Sequence, residues 1–510
     1  MVTPLIALMK DQVKNLLKKG IKAVAIHSGM SPNEIDIVLD NMIYGAYKFV
    51  YLSPERLKTD IFRYRASKVK ISFLVVDEAH CISQWGYDFR KEYLKIKEVF
   101  NSIPRVPIIA LTASATPNVI DDICDRLSMV DPAKFIGSFK RESLSYVVRQ
   151  TDDKYGQLLR ISKGIKGSGI VYVRERKKCI ELASFLKSQG LKADSYHAGF
   201  SPKYRDEIQL RWMRRDFDII VCTNAFGMGI DKPDVRFVCH FDMPESMEAY
   251  YQEAGRAGRD GLKSFAILLW NSKDISRLKR IISISFSNEE YIRDIYQKIY
   301  QYYNIAYGDG KDEVRKFNLE DFGKKYGLNY AMAYYALKNI ENEGYLELTE
   351  ELDNPSRVMF IVGREELYLL QLKDNVLDTF IKTLLRLYEG IFSYSVSIDE
   401  EYIARVTRNS IINVKTILLR LSRLNILKYI PGSVSPLIIF KEERLIDKGL
   451  YIDSKAYLMR KEAFVNRIDT VIEYASNNSE CRSKVISKYF GENIDKECME
   501  CDICRIKAAQ

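Results

Sequence analysis

Short apolar runs alternate with stretches of helical periodicity from residue 1 to about residue 285. Leu5–Lys18 and Asn33–Met42 place apolar residues at helical spacing, and Ile71–Val76 and Pro107–Leu111 are compact apolar runs of strand length. The same texture returns with Gly169–Val173, Ala193–Tyr196, Ile219–Cys222, Phe237–Phe241 and Phe265–Leu269, each separated from the next by a helical stretch. Strands that alternate with helices must be joined by crossovers, which predicts parallel sheets and two α/β domains in tandem.

Beyond residue 285 the chain becomes rich in Lys, Glu and Tyr. Helices are predicted over Leu319–Tyr326 and Tyr330–Glu343, followed by strands Tyr345–Leu348 and Val358–Val362 joined through Asp353-Asn354-Pro355. That outline repeats as helices Glu401–Thr407 and Ile411–Leu424, then strands Ile426–Ile430 and Leu437–Phe440 around Pro431-Gly432. Two helices and a hairpin suggest a winged helix in each case. Such small domains bind DNA or serve as spacers, and the pattern leaves both open.

Composition narrows the class. The 510 residues are 47% hydrophobic and 29% charged, a globular balance. Lys plus Arg number 78 against 68 Asp plus Glu, an excess of 10 that permits a polyanionic partner without requiring one. No apolar run approaches the roughly 18 residues a membrane span needs. Of nine cysteines, five are scattered and Cys481, Cys498, Cys501 and Cys504 crowd the last segment, which argues for a reducing compartment rather than a secreted disulfide framework.

Chemistry concentrates at strand ends. Asp77-Glu78-Ala79-His80 follows the run Phe73–Val76 directly. A parallel strand delivers such carboxylates to its carboxyl edge, where Asp77 can hold a Mg²⁺ bridging phosphates and Glu78 can activate water. Gln252, Arg256 and Arg259 lie three to four apart in Gln252–Gly261, so on a helix they share one face. Gly255 and Gly258 cost a plain helix stability, and two arginines offered to a neighbouring site would neutralise developing phosphoryl charge. Ala110–Thr116 and Thr223–Asp231 are strand ends running into small and hydroxyl residues, suited to a sugar–phosphate backbone at Thr112 and Thr223. Gln84–Arg90 groups Trp85, Tyr87, Phe89 and Arg90 beside the carboxylates, as stacking on unpaired bases would require.

Together these blocks resemble the RecQ family of DNA helicases, within the DEAD/DEAH-box superfamily. The resemblance runs from Val2 to about residue 285 and resumes from about 455 to 504; Thr3–Val13, Tyr51–Leu57, Asp77–Arg90 and Ala225–Arg236 are its most specific segments. Cys481, Cys498, Cys501 and Cys504, spaced by sixteen, two and two residues, read as a closed tetrahedral Zn²⁺ site, and the family has such a cluster beside a segment like Tyr489-Phe490-Gly491-Glu492.

The resemblance implies an α/β fold of two tandem RecA-like domains, 1–142 (incomplete) and 143–285. Winged-helix-like domains at 286–365 and 366–450 and a zinc module at 451–510 would follow. It implies an ATP-dependent 3′-to-5′ DNA helicase serving recombination and repair, with ATP, Mg²⁺ and Zn²⁺ as cofactors. Asp77, Glu78, His80, Arg256 and Arg259 would be catalytic; Asp77, Gln252, Asp231 and Gly229 would bind nucleotide; Trp85, Phe89, Arg90, Thr112 and Thr223 would bind DNA. Its partners would be single-stranded and forked DNA, with no membrane, in a monomer that is cytoplasmic, or nucleoid-associated in a bacterium.

Three departures stand out. The 510 residues contain no Gly-x-x-x-x-Gly-Lys-Ser/Thr phosphate loop, which in the family lies just upstream of the segment that opens this chain. Either the chain is an amino-terminally truncated fragment unable to hydrolyse ATP alone, or it is a DNA-binding or regulatory derivative; retention of Asp77, Glu78, Arg256 and Arg259 favours the fragment. Tyr87 stands where the family usually has histidine. The stretch from Asp260 to Cys481 separates the second motor domain from a zinc module that the family usually places soon after it.

Overall fold

The computed structural model describes residues 1–510 except 5, 28–29, 31, 46, 59, 84–89, 95, 98–105, 228–229, 350–355, 364–366, 368–374, 389, 393–395, 432–435, 447–448 and 510. The chain divides into two compact units, one of Met1–Ser28, Ile37–Arg280 and Met459–Gln510, the other of Gly29–Asp36 and Ile281–Leu458.

The first unit holds two parallel sheets. In the first α/β domain, β1 (Ala23–Ile26) pairs with β2 (Phe49–Leu52), and β3 (Leu74–Val76) with β4 (Ile108–Ala110). Val2 bridges Leu52 on one side and Val76 on the other, so the first residues act as a strand that joins the two pairs. Both bridges are parallel, and Asp77 N–H donates to the Val2 carbonyl at 2.8 Å. The second domain is a six-stranded sheet in the order β5-β10-β9-β6-β8-β7. Its strands are β5 (Leu144–Gln150), β6 (Ser168–Tyr172), β7 (Ala193–Tyr196), β8 (Ile219–Cys222), β9 (Val235–His240) and β10 (Ser264–Trp270). Every pairing in it is parallel. Its central strands are buried on both faces, which is why they read as unbroken apolar runs. Leu158, Val171, Leu182, Val221, Phe237 and Leu269 form the core beneath them.

The second unit corrects the hairpins expected from sequence. Strands β11 (Val314–Lys316) and β12 (Leu346–Leu348) both pair antiparallel with β16 (Leu437–Phe440). Strand β13 (Ser356–Phe360) pairs with β14 (Val396–Ile398) and β15 (Leu427–Ile430). The chain-adjacent partners, β12 with β13 and β15 with β16, are therefore not hairpins. Each core claims its own apolar strands: Leu346, Ile438 and Phe440 pack with Ile295, Tyr296 and Leu337, whereas Val358, Phe360 and Leu427 pack with Phe380, Leu384 and Leu418. One small helix-and-sheet domain is thus inserted between β12 and β16 of the other. The expected turn Asp353-Asn354-Pro355, and Gly432, lie outside the described residues.

Candidate nucleotide and zinc sites

The end of β3 places the first cluster. Asp77 sits at the carboxyl edge of the first sheet, and the Glu78 N–H donates to Asp77 Oδ1 at 3.1 Å. Glu78 is in the left-handed region at φ 49°, a strained conformation for a residue with a side chain. That turn swings the chain into a short 3₁₀ segment, Ala79–Ile82, and buries His80 completely. His80 Nδ1 meets Thr112 Oγ1 at 3.0 Å and the Glu78 carboxylate at 3.3 Å. Thr112 follows β4, so His80 ties the ends of two neighbouring strands together. The Tyr93 hydroxyl donates to the Asp77 carbonyl at 3.1 Å. Burial pushes the Asp77 carboxyl up, while the Glu78 N–H and the polar side chains of Thr3 and Gln12 hold it down. A half-desolvated carboxylate at a parallel-sheet edge suits a hard divalent cation, so Asp77 fits Mg²⁺. Arg90 is described, its N–H donating to the Cys81 carbonyl at 2.9 Å, whereas Trp85 and Phe89 lie outside the described residues.

The second cluster lies at the carboxyl ends of β6, β8 and β9, where the strand order reverses. A small cleft there is lined by Tyr172, Arg174, Asn224, His240, Asp242 and Glu253. His240 Nε2 and Glu253 Oε2 form a buried pair at 2.8 Å. Burial works against the Glu253 carboxylate, but the His240 hydrogen bond and the charges of His240, Arg174 and Arg256 leave its pKa below the ordinary value.

Here the expected helix ends early. It spans Met247–Ala254, capped at its start by the Ser246 side chain and closed at Gly255. Gly258 adopts φ 65°, with Ser264 Oγ 3.0 Å from where a Cβ would stand. Gln252, Arg256 and Arg259 therefore do not share a helical face; the two arginines ride on a tight turn that only glycine permits. Arg256 is 5% exposed and lies against Tyr172 and Glu253 within its own domain. Arg259 pairs with Asp231 at 2.8 Å on the surface. Thr223 is buried at the end of β8, and Gly229 lies outside the described residues. Among the described residues no hydrogen bond or ion pair joins Asp77 to either arginine. The two clusters share a neighbour instead. The helix Ile6–Lys18 carries Gln12, which acts on Asp77, and Asp11, whose pKa is raised by burial and further by Asp206 and Asp231.

The third cluster is Cys481, Cys498, Cys501 and Cys504, whose sulfurs lie within 4.8 Å of one another. Backbone N–H groups point at three of them: Cys498 N to Cys481 Sγ and Cys501 N to Cys498 Sγ at 3.3 Å, and Cys504 N to Cys501 Sγ at 3.5 Å. Hydrogen bonds from the Cys481 and Cys501 side chains draw the Cys498 thiol pKa far down. Four converging sulfurs with amide donors fit tetrahedral Zn²⁺.

Family comparison joins these clusters. A DEAD/DEAH box helicase model matches residues 1–123 and a helicase conserved C-terminal domain matches 153–261. A RecQ helicase winged-helix domain of Bacteroidota matches 358–431, and a RecQ zinc-binding domain matches 439–505. The chain belongs to the RecQ helicase family. It is 43% identical over 282 residues to the ATP-dependent DNA helicase RecQ of Pasteurella multocida, covering 55% of this chain and 45% of that one. It is 40% identical over 299 residues to the probable ATP-dependent DNA helicase RecS of Bacillus subtilis, covering 58% and 60%. The chain thus spans about half the length of the curated relatives it matches. Among solved structures, a Mycobacterium smegmatis helicase Lhr bound to ssDNA and AMP-PNP aligns with 56% of this chain and 41% of its own, at 19% identity and a TM-score of 0.43.

Several site residues of this RecQ-family chain have roles that sequence reasoning did not assign. Thr3 and Gln12 lie in a motif-like segment but acquire a role only through their closeness to Asp77. His240 and Glu253 are thirteen positions apart and meet only because β9 and the following helix fold together.

Proposed function

We propose that this chain carries most of an ATP-dependent DNA helicase motor that moves 3′ to 5′ on one strand in recombination and repair. The observation that supports this best is the His80 link: it joins the Asp77-Glu78 edge of β3 to Thr112 after β4, which would couple hydrolysis at the carboxylates to DNA contact at Thr112. Bound Mg²⁺·ATP would supply the scissile phosphoanhydride. Asp77 holds the cation and Glu78 orients and deprotonates water. Arg259, already at the surface, reaches the γ-phosphate by exchanging Asp231 for it, and Arg256 follows once the cleft against Tyr172 opens. Gln252, Asp231 and Gly229 sense nucleotide state. Thr112, Thr223, Arg90, Trp85 and Phe89 track single-stranded and forked DNA. The protein works as a cytoplasmic monomer. No helix among the described residues is long and apolar enough to cross a membrane.

Because the 510 residues hold no phosphate-binding loop, they bind DNA without turning over ATP by themselves. That same fact favours a second reading, a DNA-binding or regulatory protein built on a helicase frame. A graft separates the two. A strand, phosphate loop and helix from a RecQ relative are fused ahead of Met1, and DNA-stimulated ATP turnover is measured. The helicase reading expects turnover at least a hundredfold above the ungrafted chain, abolished by Glu78→Gln. DNA binding with no gain in turnover after grafting supports the regulatory reading instead.

A further inference from the structure

Between the two α/β domains runs a linker whose residues Val130, Phe135 and Ile136 are exposed. Its last part is gripped from an unexpected side. The Glu492 carboxylate accepts from Ser138 Oγ at 2.6 Å and from Phe139 N–H at 2.7 Å, using both oxygens. The Phe490 ring stacks on Phe139 with centroids 4.6 Å apart and planes within 8°. Tyr251, on the helix that leads to Arg256, completes an aromatic trio: it lies 5.0 Å from Phe490 and 5.7 Å from Phe139, and its hydroxyl donates to the Phe139 carbonyl at 3.2 Å.

Two further contacts extend this grip in opposite directions. Gly491, at φ 86°, lies so close to the first domain that an added Cβ would stand 2.6 Å from Pro117 Cγ, at the end of the loop that begins with Thr112. Downstream in the linker, Arg141 donates to the carbonyls of Gly255, Ala257 and Gly258 at 3.4, 3.3 and 3.5 Å, and Ser143 Oγ donates to Gly258 at 3.3 Å. Those carbonyls flank Arg256 on both sides. The segment Tyr489–Glu492 is anchored in turn by the Tyr489 hydroxyl donating to Glu248 at 2.7 Å and by its place between Cys481 and Cys498.

We propose that Tyr489–Glu492 is a strap across the interdomain hinge, and that Glu492 and Arg141 are positioning residues for the turn bearing Arg256. The strap touches the loop after β4, the linker and the arginine helix at once, so movement of one is felt by the others. A carboxylate held at both oxygens, by the Ser138 hydroxyl and the Phe139 N–H, fixes direction as well as distance, and Arg141, two residues on, carries that direction to three carbonyls. What Arg256 does once positioned rests on the helicase reading; the mechanical coupling does not.

The test is hydrogen–deuterium exchange on the full zinc-loaded chain, with zinc content checked for each variant. Glu492→Ala is expected to raise exchange at least tenfold in residues 138–142 and also in 255–260, while residues 481–487 and zinc content stay unchanged. Glu492→Gln keeps one acceptor and is expected to fall between wild type and Ala. Arg141→Ala, remote from the cysteines, is expected to loosen 255–260 and leave 489–492 protected; it decides the matter if Glu492→Ala loses zinc. Unchanged protection of 255–260 in Arg141→Ala, or acceleration confined to 138–142 in a zinc-replete Glu492→Ala, would overturn the proposal. No nucleotide enters the measurement, so a failed grafting experiment and a failed strap remain separate results.

Discussion

The two α/β domains solve the same architectural problem and finish their sheet edges differently. In the second domain the outer side of β5 is covered by the cysteine module. Asp502 accepts from the Val148 N–H at 2.9 Å, Glu500 accepts from Ser145 Oγ at 3.3 Å, and Arg482 pairs with Asp502 at 3.1 Å while almost fully buried. In the first domain β4 has a strand partner on one side among the described residues. Ile109 and Leu111 there are 40% and 44% exposed, and Phe73 beside β3 is 57% exposed. Their functional groups differ in the same sense. Arg259 and the cleft of the second domain are already matched, Arg259 with Asp231 and His240 with Glu253. The first domain instead concentrates strain at Glu78 and desolvation at Asp77. An edge strand with open backbone groups is a liability unless something covers it. The cysteine module therefore does more than close its own loop: it covers the outer strand of the second sheet.

Removing the metal should break this contrast most severely. Structural zinc in small modules is worth on the order of 10 kcal/mol of folding free energy. Chelation, or Cys501→Ser, should release the module and expose β5. The expected outcome is loss of one equivalent of zinc together with at least hundredfold faster amide exchange across Leu144–Gln150, with Leu74–Val76 unaffected. Equal acceleration in both sheets would show that the module stabilises the unit as a whole rather than one edge.

The buried pair in the second cleft comes next. Glu253→Ala strips His240 of its partner in a nearly water-free setting, a change that costs about 3 kcal/mol in comparable buried pairs. The urea midpoint of the second domain's transition should fall accordingly, with Glu253→Gln losing less. The pH dependence has a definite sign. The Glu253 pKa lies below its ordinary 4.5 in the folded state, so its contribution is complete above that value and disappears as pH falls through the folded pKa. In Glu253→Gln that acid-side loss of stability should shrink.

How much of this was legible depended on range along the chain. Ile219–Cys222 is readable to the residue because burial on both faces writes an apolar run into the sequence itself. The cysteine cluster was readable because metal geometry constrains spacing. The hairpins after residue 340 misled because strand choice there is settled by two competing cores: Leu346 faces Phe440 across the inserted domain rather than its chain neighbours. The shared helical face through Arg259 does not form because Gly258, whose helical cost points to a special role without saying which, takes a positive φ and turns the chain. Arg141 and Glu492 carried no local signal, since each acts on residues more than a hundred positions away.

A smaller perturbation probes where the domains meet the strap. Gly491→Ala forces a side chain into the left-handed region and onto Pro117, at a cost of about 1–2 kcal/mol. The thermal midpoint should drop by a few degrees with zinc retained. A variant as stable as wild type would mean that the strap and Pro117 separate freely.

The least effect on stability should come from Arg259→Ala, and here the two domains can be told apart by function. Arg259 and Asp231 are 36% and 77% exposed, so their ion pair contributes no more than about 0.5 kcal/mol. Unfolding of the variant should therefore be indistinguishable from wild type. In the grafted chain, however, its turnover should fall about a thousandfold, the scale of losing an arginine that neutralises phosphoryl charge. Asp231→Asn supplies the complementary arm: it frees the arginine without removing it, so turnover should fall far less than in Arg259→Ala, by no more than the loss of the sensing carboxylate. If both variants lose turnover equally, Asp231 orients Arg259 for the phosphate. If neither does, the charge on the second domain's surface plays no part in hydrolysis, and the chemistry rests with the first domain's strained carboxylates.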